Sequence, residues 1–262
     1  MSPATPPDAP PDVPSSASNT AASSAAPSRD ASPLPFALAA CADGEALARA
    51  LAAHVAEALR ARLARDGTAS LAVSGGRTPA RFLEVLSGAP LDWDRIAVTL
   101  VDERWVPETS DRSNAALVRH HLLRGPAAAA RFVPLFTGAA TPEAGLAAAE
   151  RAVAALPLPF AAVVLGMGDD GHTASFFPGA ENLAQITDPA APARLAAVRA
   201  EGAGEPRITF TLPPLVAADA LFLHIEGQGK RTVLENAAAG APLPIRAILT
   251  HAPRPLDVLW CP

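Results

Sequence analysis

No run in this chain approaches the roughly 18 consecutive apolar residues of a membrane-spanning helix, although half of its 262 residues are hydrophobic. Pro, Gly or charge interrupts every apolar stretch, so a membrane partner is excluded and a soluble protein is expected. Basic blocks are missing as well. Lys and Arg number 21 against 26 Asp and Glu, interspersed, for a net charge of −5. Nucleic acid is therefore not an expected partner, and any anionic ligand must be held by a local cluster. Cysteine is scarce: Cys41 and Cys261 are too few for a disulfide framework and wrongly spaced for a zinc site. Both read as small core hydrophobes in a reducing compartment.

The first 33 residues lack periodic apolar positions. They are almost wholly Ala, Pro, Ser, Thr and Asp, a composition that cannot bury enough surface to offset the entropy of ordering. A disordered tail is expected over 1–33 and a single domain over 34–262. The tail has neither the basic start and apolar centre of a secretory signal nor the Arg-rich, acid-poor character of a transit peptide, since Asp8, Asp12 and Asp30 accompany only Arg29. A cytoplasmic location is expected.

From Leu34 onward, β-type runs alternate with helical patterns. Phe36 to Cys41 reads as a first strand. Asp43 to Arg65 then carries Leu47, Leu51, Val55, Leu59 and Leu63 at spacings of four, the stripe of an amphipathic helix. Further strands are predicted at Ser70–Ser74, Arg95–Val101, Phe160–Leu165, Arg207–Leu212, Ala220–Ile225 and Asp257–Trp260, with helices at Pro79–Leu86, Asn114–Leu123, Pro142–Leu156 and Lys230–Ala239. Strands apolar on both faces and separated by helices indicate an α/β fold with a mostly parallel sheet covered on both sides. Ligands of such sheets sit outside the carboxyl ends of the strands.

Three polar clusters stand at those ends. Ser74-Gly75-Gly76-Arg77-Thr78-Pro79 follows the run Leu71-Ala72-Val73 and opens a helix. Its glycines let backbone N–H groups approach an anion, and Arg77 with the Ser and Thr hydroxyls adds donors; the same residues also suit an ordinary glycine-rich turn. Asp102-Glu103-Arg104 ends the second run, and an aspartate there needs Arg104 or a ligand hydroxyl as partner. Ser113 suits the N-cap of the helix that follows.

The third cluster, GMGDDGHTASFFPG at 166–179, holds Gly166, Gly168 and Gly171 in G-x-G-x-x-G spacing. A dinucleotide site needs a long helix after those glycines and a strand-end acid about 20 residues on. Here Pro178 and Gly179 would break the helix, and Asp188 lies in the turn sequence Thr187-Asp188-Pro189-Ala190. What remains is a bent loop carrying Asp170 and His172, a carboxylate able to fix the tautomer of an imidazole base. Metal ligation by Asp169, Asp170 and His172 lacks a second His or Cys at ligand spacing.

In this order, the pieces resemble the 6-phosphogluconolactonase family: SGGRTP at 74–79, DERWVP at 102–107, Ser113-Asn114, the stretch at 166–179, RITFT at 207–211, and Gly227 followed by Lys230. The resemblance implies a three-layer α/β/α fold shared with glucosamine-6-phosphate deaminases and ribose-5-phosphate isomerases. It implies hydrolysis of 6-phospho-D-glucono-1,5-lactone in the oxidative pentose phosphate pathway, with a small sugar-phosphate lactone as substrate, no cofactor and no metal. His172, Asp170 and Arg104 then become the catalytic positions. Substrate binding falls to Ser74, Gly75, Gly76, Arg77, Thr78, Asp102, Asn114, Gly171, Thr173, Arg207 and Lys230.

The alternative is an aldose-ketose isomerase or deaminase acting on an amino-sugar 6-phosphate, whose pattern D-G-H-x-A-x-N-E-P places a glutamate five residues after the histidine. Phe177 occupies that position here, and Arg104 stands where deaminases commonly carry an aromatic residue. Both departures favour the lactonase. Phe176, in place of the more usual Leu, is a packing change.

Overall fold

The computed structural model describes residues 35–76 and 78–262. The expected tail over 1–33, and Arg77 of the glycine-rich turn, lie outside the described residues. The first half of the chain runs β1 (Phe36–Ala40), α1 (Gly44–Asp66), β2 (Ala69–Val73), α2 (Ala80–Ser87), β3 (Ile96–Leu100), β4 (Asp102–Arg104), α3 (Asn114–His121), β5 (Arg131–Val133) and α4 (Pro142–Val153). The second half runs β6 (Ala162–Leu165), α5 (Leu183–Ile186), β7 (Leu195–Val198), β8 (Arg207–Phe210), α6 (Leu212–Val216), β9 (Ala220–Glu226), α7 (Gln228–Ala238), α8 (Arg246–His251) and β10 (Leu256–Cys261).

Helix α1 forms as its stripe predicts. Asp43 caps it by accepting from the Ala46 N–H at 2.7 Å, and Gly67 ends it in the left-handed region at φ 78°, where a side chain would be strained. Leu47, Leu51, Val55, Leu59 and Leu63 are all buried, each contributing about 1.5–3 kcal/mol of apolar burial.

Seven strands make one parallel sheet in the order β1-β10-β9-β6-β2-β3-β5. Every residue of β2, β3 and β6 is buried, as strands covered on both faces require. The first strand, β1, takes its place at the sheet edge by pairing with the last, β10. From β1 through β2 and β3 to β5 the chain moves one way across the sheet; from β6 through β9 to β10 it moves the other. Right-handed crossovers put the helices of these two halves on opposite faces, giving three layers. The direction reverses between the neighbours β2 and β6, so the crevice expected of such a switch point opens where Ser74 and Gly166 leave those strands. A Cβ built on Gly166 would lie 3.4 Å from Ser74 Oγ, so the two exits stand in contact with one another.

One expected strand changes place. Arg207–Phe210 belongs to a separate three-stranded antiparallel sheet, β4-β8-β7. Asp102 faces Thr209 and Arg104 faces Arg207 in its register. Strands β4, β5 and β7 were not predicted. They are three or four residues long and take their conformation from partners rather than from a local apolar pattern. Among the described residues no helix is long and apolar enough to cross a membrane.

Candidate active site

The turn after β6 is built to present two side chains. The Gly171 N–H donates to Gly168 O at 3.0 Å and the Gly168 N–H to His172 O at 2.9 Å, with Gly171 left-handed at φ 76°. Thr173 Oγ1 ties the turn back to Gly166 O at 2.8 Å. At its tip, His172 Nδ1 lies 2.6 Å from Asp170 Oδ1, and the His172 N–H donates to that same oxygen at 3.1 Å. Burial pulls the Asp170 carboxyl upward, but the hydrogen bonds from the His172 backbone and ring outweigh it and hold the group below its ordinary value. An ionised Asp170 favours the proton on Nδ1, so in the neutral imidazole Nε2 carries the lone pair.

Phe177 fixes the plane of that imidazole. Its ring stacks on His172 with centroids 4.4 Å apart and planes at 29°, and the Arg207 guanidinium lies 5.3 Å from its centroid, within cation–π range. Arg207 in turn faces Asp102 Oδ2 at 3.5 Å, and the same oxygen accepts from Ser175 Oγ at 2.6 Å. Both members of the ion pair are under 10% exposed. Burial lowers the Arg207 pKa while the charge of Asp102 pulls it up. Removing one partner of a buried pair strands the other, so Asp102→Asn is expected to destabilise the protein by about 3 kcal/mol. Urea unfolding of the variant against wild type checks this.

Opposite, Arg104 Nη1 donates to Arg112 O at 2.5 Å. Asn114 Nδ2 donates to Asp102 O at 2.9 Å, and its Oδ1 sits where a Cβ on Gly75 would stand, at 1.8 Å. Only glycine lets the 74–76 turn meet Asn114 so closely. Together these residues line a cleft of about 190 Å³ that also receives Ser74. Among the described residues, Arg104 Nε, Arg207 Nε and Asn114 Oδ1 are buried and without a hydrogen-bond partner. Arg104, Arg207 and Asn114 thus each line the cleft with one side-chain atom that no described protein group holds.

Comparison with known proteins identifies the family. The family profile described as glucosamine-6-phosphate isomerases/6-phosphogluconolactonase matches residues 42–260. The chain belongs to this family. A 6-phosphogluconolactonase of Mesorhizobium japonicum is 52% identical over 221 residues, covering 84% of this chain and 93% of that protein. One of Rhizobium meliloti is 54% identical over 220 residues, covering 83% and 95%. The crystal structure of a 6-phosphogluconolactonase from Shewanella baltica superposes with a TM-score of 0.84 at 36% identity, covering 87% of this chain and 98% of that one.

Of the positions that the family resemblance nominates, Ser74, Gly75, Asp102, Arg104, Asn114, His172 and Arg207 line the cleft. Asp170 stands behind His172. Gly171 and Thr173 shape the turn from outside the lining, Gly171 pressed against Leu243 and Thr173 bonded to Gly166. Gly76, left-handed at φ 98°, and Thr78 stay outside the lining as well. Lys230 lies in the first turn of α7, also off the lining. It stands near buried His224, whose pKa burial lowers, Glu226 raises and Lys230 lowers further.

Sequence reasoning passed over Gly166, Ala174 and Gly202 as cleft residues. Ala174 adopts φ 47°, a left-handed conformation costing a non-glycine residue about 1–3 kcal/mol, and no local sequence signal marks it. It also passed over Glu103. This fully buried carboxylate is pushed up to about 7 by burial, against hydrogen bonds from the backbone of Asn114, Ala115 and Arg104.

Proposed function

We propose that this protein hydrolyses 6-phospho-D-glucono-1,5-lactone to 6-phospho-D-gluconate, the lactonase step of the oxidative pentose phosphate pathway. One observation carries the reading: an imidazole whose Nδ1 lies 2.6 Å from a carboxylate shares a cleft with two arginines at the sheet's switch point.

His172 Nε2 takes a proton from water as its oxygen attacks the lactone carbonyl, and Asp170 stabilises the imidazolium that forms. The carbonyl oxygen becomes an oxyanion, and a preorganised cationic donor lowers that barrier; Arg104 is the residue we assign there, with Arg207 as the neighbouring charge. As the bond from the carbonyl carbon to the ring oxygen breaks, His172 returns its proton to that oxygen, releasing the open-chain hydroxy acid. Each step moves only protons and one acyl bond.

Substrate phosphate carries about −1.5 to −2 charges near neutral pH. Ser74 and the glycine-rich turn through Arg77 and Thr78 are assigned to hold it, with Lys230 as a charge outside the cleft lining, so that binding energy remote from the carbonyl orients the ring. Asn114, Asp102 and Thr173 are assigned to the sugar and its surroundings, and Gly171 to the bend that presents His172. We place the reaction in the cytoplasm.

Phe177 bears on the deaminase alternative. An aromatic ring stacked on His172 cannot relay a proton, which ring opening and isomerisation of an amino sugar would ask of a carboxylate at that position. The test is to add the protein to freshly generated 6-phosphogluconolactone, subtract spontaneous hydrolysis, and follow 6-phosphogluconate with a coupled dehydrogenase. Acceleration proportional to enzyme is expected. No acceleration, together with ammonia release from glucosamine 6-phosphate, overturns the reading.

A further inference from the structure

Strand β4 alternates like any strand. Asp102 and Arg104 contribute to the cleft, and Glu103 between them enters the N-terminus of α3. Its Oε1 accepts from the Arg104 N–H and the Asn114 N–H, each at 2.8 Å. Its Oε2 accepts from the Ala115 N–H at 2.8 Å and from Ser113 Oγ at 3.2 Å. Ser113 Oγ in turn takes the Ala116 N–H at 3.2 Å, so the first three N–H groups of α3 are all satisfied.

Capping a helix does not require this. A Ser, Thr, Asn or Asp at the N-cap supplies the usual bond, and Ser113 already does so. A carboxylate with no exposure carries a desolvation cost that a neutral cap avoids. Burial pushes this carboxyl up to about 7, but three of its four donors are backbone N–H groups, which cannot accept a proton from a neutral acid, so the hydrogen bonds themselves favour the ionised form against that cost. What the charge adds lies in the identity of two donors. One oxygen, Oε1, grips the backbone of both Arg104 and Asn114, whose side chains reach the cleft with their Nε and Oδ1 uncommitted. Among the described residues each side chain is then secured by one bond, Arg104 to Arg112 O and Asn114 to Asp102 O.

We propose that Glu103 is a positioning residue for the reaction: it touches no substrate, and its carboxylate sets the spacing between Arg104 and Asn114 across the cleft. The assignment rests on the lactone-hydrolase reading above.

Glu103→Gln keeps the shape of the side chain but turns an amide NH2 toward backbone donors, so one of the two oxygens loses its bonds. In otherwise wild-type enzyme, kcat/KM for the lactone is expected to fall on the order of tenfold, as displaced catalytic groups make it do. In an Arg104→Ala background the same substitution is expected to cost less than about twofold, because residues acting through one another are not additive. Glu103→Asp, shorter but still charged, is expected to fall between wild type and Gln. It runs through the same cycle if Gln prevents folding. A residue serving helix stability alone would lower the melting temperature in both backgrounds and leave the kinetic losses independent.

An E103Q rate within about twofold of wild type, or a tenfold loss that persists in the Arg104→Ala background, overturns the proposal. The wild-type rate tests the underlying reading by itself. An inactive wild type removes both, whereas an active wild type with unaffected variants removes the positioning role alone.

Discussion

His172→Asn is expected to lower kcat for lactone hydrolysis by between about 10² and 10⁴, the range that a positioned general base contributes, with KM little changed. Asn keeps a polar group near the Asp170 oxygen but has no basic nitrogen to take the proton of water. The histidine side chain is about one-third exposed, and its ring stacks on Phe177. The fold should therefore survive, and far-UV circular dichroism with a thermal melt should match wild type. A purified, folded variant that turned over at the wild-type rate would remove His172 from the mechanism.

Gly168→Ala is expected to cost on the order of 10² in kcat through geometry alone. The new Cβ would stand 2.3 Å from His172 Nδ1 and Cε1 and 2.6 Å from Asp170 Oδ1, well inside van der Waals contact. Unlike Gly171, Gly168 is not left-handed, so alanine meets no backbone penalty there and the collision is with the acid–base pair itself. Asp170 and His172 are both partly exposed and can swing toward solvent, which breaks the 2.6 Å bond without unfolding the sheet. A thermal melt near wild type together with the loss of kcat is the expected signature. Unchanged kcat would mean that the pair need not be held as it is.

How much of this was legible in the sequence depends on how local each feature is. The stripe of α1 and the apolar runs of β2, β3 and β6 are periodic patterns, and they place the main sheet and its carboxyl ends without reference to distant residues. Asp170 and His172 stand two apart on a glycine-bracketed bend, so their meeting follows from the turn. Asp102 with Arg207 is different. Their partnership depends on β8 pairing antiparallel with β4, in a small sheet whose strands are too short for alternation to announce.

Glu103 was hidden for a related reason. Strand β4 is Asp-Glu-Arg, with no apolar residue to reveal its period of two, so nothing local separates the residue facing α3 from the two facing the cleft. A signal existed in its neighbours: an acid at the end of an apolar run, followed by Ser-Asn at a helix start. Lys230 was named with the site, yet the cleft is lined without it, because the helix carrying it starts one strand beyond β6 in the sheet order.

The pairing of β1 with β10 has a consequence for biosynthesis. A nascent chain emerging through β9 already holds β2, β3, β5, β6 and the Asp170–His172 turn. Its first strand, however, has no partner until Leu256–Cys261 emerges, and β9 offers an open edge meanwhile. The site can assemble before the sheet is complete, and its chemistry is encoded well upstream of the strand that seals the fold. That interval, when β9 presents an unpaired edge, is when the chain is most open to pairing with another copy of itself.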